Sequence, residues 1–233
     1  MADAARAVKR FYRAAAVGEG NRILLDGRPV KTPSRLDLAL PNARLAEAVA
    51  DEWNAQGARI DPRSMPLTGL ANAALDRVAP DPTAFARGLA AYGESDLVCY
   101  RVEGPAPLAA RQAELWDPLL AWAQQRYDVV FELAFGVIHM PQPSETVARL
   151  GAVVAALDPF QLAGLSPLVT ISGSLLIALA LAQGEIGLDA AWAAASLDEQ
   201  WQAERYGEDG EAAAALANRR ADFAAAARFL SLL

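Results

Sequence analysis

One cysteine, one histidine and two lysines stand in 233 residues. A lone Cys99 closes no internal disulfide, which suits a reducing compartment. A nucleophilic pair needs a base within reach, and His139 is the single imidazole available. It lies in GVIHMPQP, a short apolar run among prolines, and reads as a partly buried structural histidine. Cys99, between Val98 and Tyr100, reads as a small core residue. Metal sites of the His and Cys kind are excluded by the same scarcity. Carboxylates remain at Glu94 and Asp96, or at Glu208, Asp209 and Glu211, without the loop pattern of a calcium site. They read as caps and solvated surface, with Asp209 opening a helix. Neither GxxxxGK(S/T) nor GxGxxG occurs, so no familiar phosphate cradle and no cofactor is expected. An enzyme working with paired carboxylates stays open as the alternative reading.

Positive charge is also scarce. The net charge of −7 argues against nucleic acid as a main partner, because phosphate binding needs a basic face. The distribution is uneven: residues 1–35 hold eight Arg and Lys against three Asp and Glu, and residues 185–233 hold four against nine. The acidic end is either ordinary solvated surface or a face for a partner. No secretory apolar region opens the chain. Arg6, Lys9, Arg10 and Arg13 have a faint transit-peptide look, against which Asp3 and Glu19 count.

Charge is missing altogether from Pro159 to Gly184. This run is apolar enough to suggest a membrane span. Gly164, Thr170, Ser172, Gly173 and Ser174 interrupt it, Ser166-Pro167 is a helix-start signal, and no Lys or Arg cluster flanks it. A central buried helix is expected, with no membrane insertion.

What is present is a chain 54% apolar and 21% charged, large enough for one big domain or two small ones. Asp26-Gly27 between ILL and PVK predicts a hairpin. Leu36, Leu38 and Leu40 alternate as a third strand, and Pro41-Asn42 opens a helix with Leu45, Val49 and Trp53 on one stripe, closed at Gly57. From Pro66 the period turns helical. Segments 97–102 and 129–135 look extended, and a long helix runs through Leu108 to Trp122, bent or split at Pro118. Helices follow over 144–157, 167–183, 188–206 and 209–232. The fold class is α+β: a small two-layer N-terminal α+β domain over residues 1–65, then a larger, mostly helical domain over 66–233.

The block SLDEQWQAERYGED, Ser196 to Asp209, is the most distinctive late in the chain. On a helix Asp198, Gln202 and Arg205 share a face, and Arg205 is placed to lie on the Trp201 indole. Leu197 and Trp201 anchor such a helix and leave Glu199 and Glu204 exposed. Residues alone leave two readings open here, a binding hot spot and an ordinary amphipathic helix.

Taken in order, LDGRPVKTPSR (25–35), EWNAQGARIDPRSMPLTGLANAALDRV (52–78), SDLVCYR (95–101), WDPLLAW (116–122), GSLLIALAL (173–181) and LDEQWQAERYGED (197–209) resemble the family of ATP synthase assembly chaperones that act on the alpha subunit. Tyr206 stands where the family often has Trp, and Asn54 where it often has aspartate. The resemblance implies a monomeric, non-enzymatic chaperone. It would hold the unassembled alpha subunit, cover its beta-facing surface and act in the bacterial cytoplasm, or in the mitochondrial matrix for eukaryotic relatives. It points to Asp198, Glu199, Trp201 and Gln202 as partner-binding residues, then Glu208 and Asp209, with Arg28, Lys31 and Trp53 added from the N-terminal block. Asn72 and Asp76, one helical turn apart, are expected to tie the two parts together.

Overall fold

The computed structural model describes residues 8–136, 139–207 and 209–233. Arg6, Asp3 and Glu208, named above, lie outside them. The N-terminal part holds an antiparallel sheet in the order β1 (Ala15–Val17), β2 (Ile23–Leu25) and β3 (Arg28–Pro29). The expected hairpin is β2–β3. Asp26 and Gly27 both take positive φ, 47° and 80°, the combination that matches the twist of a two-residue turn. The Asp26 carboxylate also accepts from the backbone N–H groups of Arg13 and Ala14, both at 3.0 Å, so the turn residue fixes the entry to β1. Those N–H groups hold its carboxyl below the ordinary aspartate value.

β1 escapes a reading of the sequence because Ala15 and Ala16 carry no alternation. Its outer edge is covered by a side chain. The Asn54 amide accepts from Ala15 N at 2.8 Å and donates to Ala15 O at 3.0 Å, as a neighbouring strand would. The third strand is a correction. Leu38 bonds Ile23 and Val30 through its backbone, but only isolated bridges form, Arg22 with Ala39 and Lys31 with Asp37. A bond from Ala39 N to Asp37 O closes a three-residue turn that interrupts the ladder.

Helix α1 (Ala43–Asn54) packs on this sheet, capped by Asn42, whose Oδ1 accepts from Leu45 N at 2.9 Å. Gly57 does not close it. The helix ends three residues earlier, where the Arg10 guanidinium takes the carbonyls of Asn54 and Gln56. Next come α2 (Pro66–Ala73), which runs on into a wide π-helical turn over Ala74–Val78, and α3 (Pro82–Ala90). β4 (Tyr100–Arg101) pairs in parallel with β5 (Ala134–Phe135), so the two extended segments are far shorter than their sequence pattern suggested. Between them α4 (Ala106–Tyr127) stays one helix through Pro118.

After α5 (Ser144–Ala155), the charge-free run forms two helices, α6 (Pro159–Ser172) and α7 (Leu175–Ala182). Pro167 does not start a helix. α6 begins under an Asp158–Gln161 capping box, and Pro167 lies inside it. Gly173, at φ 68°, ends α6, and Ser174 caps α7 through Ile177 N. No helix among the described residues is long and apolar enough to cross a membrane. Segment 188–206 is likewise broken, into α8 (Leu188–Ala195) and α9 (Leu197–Tyr206), before α10 (Gly210–Ser231). At the break the Ser196 hydroxyl bonds Trp192 O at 2.6 Å, and the Trp116 indole takes Ala194 O at 2.9 Å.

Buried apolar side chains form two clusters. One lies between the sheet, α1 and α2. The other surrounds α7, whose residues Leu175–Ala180 are all buried. Phe229, Leu232 and Leu233 at the end of the chain pack into the first cluster, and the Asn42 amide donates to Leu232 O at 2.9 Å. α6 and α10 approach so closely that a Cβ on Gly164 would lie 2.7 Å from Leu230 Cδ2. Asp76 joins the two parts: its carboxylate accepts from Thr32 Oγ1 at 2.6 Å and Ser34 N at 2.9 Å. Asn72, expected to share this task, makes no side-chain hydrogen bond among the described residues.

Candidate partner-binding site

Helix α9 has apolar anchors at Leu197, which is buried, and Trp201, which is half-buried. Its two flanks face different neighbours, and this divides the residues expected to act together. Toward α4, Gln112 Nε2 donates to Asp198 Oδ1 at 3.2 Å. Arg111 lies with its guanidinium 4.9 Å from the Trp201 ring centroid and pairs with Glu204 at 2.8 Å. The cation over Trp201 is therefore Arg111 from another helix, not Arg205. Asp198 and Trp201 hold α9 onto α4.

Toward α10 the opposite flank of α9 opens a groove of about 300 Å³. Glu199, Gln202 and Tyr206 line one wall, Asp209 stands at the end, and Ala213, Leu216 and Arg219 form the other wall. Gln202 thus parts from Asp198, with which a common face was expected. Glu199 pairs with Arg219 at 2.8 Å, both side chains being more than 40% exposed. An exposed pair of this kind contributes about 0–1 kcal/mol, so it exchanges readily for a partner's charge. Asp209 occupies the N-cap of α10, yet its side chain accepts no capping bond. Its carboxylate is exposed at the groove mouth, and Tyr206 is 79% exposed beside it. The floor is apolar and the rim is acidic and hydroxylic, which suits a polar, net-basic segment of a protein surface.

The N-terminal candidates meet at a second concave surface of about 640 Å³. Arg28, Lys31 and Trp53 line it together with Phe11, Tyr12 and Pro29. Lys31 pairs with Asp37 at 2.6 Å. Arg28 is exposed, and its guanidinium has no ionic or hydrogen-bond partner among the described residues. Trp53 is half-buried, and its indole N–H reaches no acceptor among them. Residue spacing revealed neither concavity: the first depends on how the consecutive helices α9 and α10 meet, and the second on Trp53 returning to residues 11–31.

The groups considered for chemistry are engaged structurally. Asp96 is fully buried; it accepts from Val98 N at 3.2 Å and from Leu176 N at 3.0 Å, and so caps α7 from outside that helix. Burial pushes its carboxyl up to about 6, against the pull of the surrounding Ser174 and backbone donors. Burial, with the Asp96 charge nearby, pushes the Cys99 thiol up to about 12, far from a reactive thiolate. His139 is exposed rather than partly buried, because its ring projects to the surface, where Nδ1 lies 2.8 Å from the Tyr100 hydroxyl. Among the described residues no group of three or more His, Cys, Asp or Glu side chains could hold a metal ion.

Comparison with known proteins identifies the family. Residues 9–124 match the family model described as ATP12 chaperone protein. The crystal structure of Atp12 from Paracoccus denitrificans is 43% identical and superposes with a TM-score of 0.92, covering 97% of this chain and 98% of that one. An aspartate-to-lysine mutant of P. denitrificans Atp12p is 42% identical with a TM-score of 0.91, each chain being 97% covered. Protein atp12, mitochondrial, from Schizosaccharomyces pombe is 25% identical over 216 residues, 85% of this chain and 74% of that protein. Near-complete superposition at this identity places the chain in the ATP12 family of ATP synthase assembly chaperones.

Proposed function

We propose that the chain binds the unassembled alpha subunit of the ATP synthase catalytic head and shields its beta-facing surface until beta takes its place. The α9–α10 groove carries the reading. It brings Glu199, Gln202 and Asp209 of the distinctive acidic block to one exposed surface, beside an exposed Tyr206. An unassembled subunit exposes an apolar interface and is prone to aggregate. A surface with an acidic rim and a few aromatic anchors holds such a client without matching the affinity of the final subunit contact. In this reading Glu199, Gln202 and Asp209 touch the client, with Glu208 next to them in sequence. Asp198 and Trp201 set the position of α9. Residues 1–65 and 66–233 act as two domains in this reading, with Leu67, Ala71 and Phe229 of the second part completing the core of the first. The protein works as a cytoplasmic monomer without an enzymatic step of its own.

Co-expression tests this. The alpha subunit alone is expected to aggregate, and alpha with this chain to elute as a complex on gel filtration. Aggregated alpha with no complex removes the reading. Glu199→Lys is expected to weaken the complex at least tenfold with an unchanged melting curve. Arg219→Gln, which breaks the same ion pair but keeps the carboxylate, is expected to preserve it. Equal binding by Glu199→Lys removes Glu199 from the contact.

A further inference from the structure

The basic end of the molecule holds an unassigned surface. Residues 8–35 carry seven Arg and Lys against two acids, in a chain of net charge −7. Three aromatic rings step across the concavity described above. Phe11 meets Tyr12 edge-on at 5.5 Å, and Tyr12 meets Trp53 at 5.7 Å. They are held in place from behind. The Tyr12 hydroxyl donates to Trp53 O at 2.6 Å, and Arg10 spans the carbonyls of Tyr12, Arg13 and Gln56. Arg10 is thereby committed to the scaffold. Phe11 is nevertheless 71% exposed, a large apolar ring kept in water by a rigid base. Asp26 lines the same concave surface, but its carboxylate is turned to the N–H groups of Arg13 and Ala14, and Lys31 is paired with Asp37; Arg28 is the lining cation whose guanidinium is unpartnered among the described residues. Pro29 on the edge strand has no N–H to offer, so an occupant is held by side chains and not by strand addition.

We infer that this surface is a second contact for the same client and takes an acidic, aromatic-bearing segment of the alpha-subunit chain. Arg28 clamps a carboxylate of that segment, and an apolar side chain of the segment lies over the step of rings from Phe11 through Tyr12 to Trp53. Guanidinium suits the task, because it meets a carboxylate with two parallel donors. The free charge here, Arg28, is opposite in sign to the exposed carboxylates of the α9–α10 groove, so the client is read at two places by complementary charge. The inference rests on the proposed client.

Two ten-residue peptides test it, one alternating Glu with Phe and Leu, the other alternating Lys with Phe and Leu. They are titrated against the intact protein by tryptophan fluorescence, and the complex with the alpha subunit is measured in parallel. The acidic peptide is expected to bind, to weaken as salt rises, and to lose at least tenfold in affinity with Arg28→Glu or Phe11→Ala. Both residues are exposed, and unchanged melting curves show that the variants fold. Arg28→Glu is also expected to weaken the alpha complex at least fivefold. Equal binding of the two peptides, or of the acidic peptide to wild type and Arg28→Glu, overturns the site. A peptide effect with an unaltered alpha complex overturns the assignment of the occupant. If wild type forms no alpha complex but still prefers the acidic peptide, the proposed client fails while the charge-selective surface stands.

Discussion

Asp96 offers the sharpest test of how the helical part is built. Its carboxyl is fully buried, and one oxygen takes the Leu176 N–H at the start of α7. Burial raises its native pKa from 3.8 to about 6. A carboxyl whose native pKa exceeds its unfolded value binds its proton more tightly when folded. Its stabilising contribution is fully present below 3.8 and is lost as pH rises through about 6. The interval corresponds to about 3 kcal/mol. Asp96→Asn removes the titration and keeps one carbonyl oxygen, at a pH-independent cost of about 1–3 kcal/mol for the second acceptor. The stability of the variant relative to wild type should therefore improve by about 2–3 kcal/mol between about pH 4 and about pH 8. Urea unfolding of both proteins across that range, followed by circular dichroism, reads the difference directly. Taking the difference cancels carboxylates such as Asp26, whose lowered pKa makes it contribute above the ordinary aspartate range and lose that contribution on acidification. A difference that stays flat, or moves the other way, would show that the backbone donors stabilise the anion and that the argument from burial is wrong.

Three further outcomes follow from the contacts. Trp201→Ala removes a half-buried indole stacked by Arg111 and should cost about 2 kcal/mol in urea unfolding. An unchanged midpoint would show that Trp201 does not anchor α9. Asn54→Asp loses the donor to Ala15 O and sets an anion against it, for a cost of about 1–3 kcal/mol. No loss would mean that the edge of β1 is held otherwise. Trp116→Phe leaves Ala194 O without its indole donor and should cost about 1–2 kcal/mol, with faster amide exchange around the α8–α9 break; protection equal to wild type would sever that link.

Legibility followed the range of the interactions. The Asp26-Gly27 hairpin and the Asn42 cap are local devices, and their residues announce them. The breaks at Gly173 and Ser196 were not placed: Gly173 and Ser174 stand out as interruptions, but it takes the positive φ of Gly173 and the bonds around Ser196 to make each a helix end. Arg111 was invisible as the partner of Trp201 because it comes from α4, while Arg205 lay conveniently one turn away in sequence. For the same reason the acidic block was recognisable as a candidate, but its division into a flank that holds α4 and a flank that lines a groove was not. That division depends on where α10 returns, which the sequence of α9 does not encode.

The central claim is that this chain occupies, on the alpha subunit, the surface that beta later covers. Adding beta to the purified alpha complex and resolving the mixture by gel filtration tests it most directly. The account predicts an alpha–beta species with the chaperone released as a monomer. A stable species containing all three chains would contradict it.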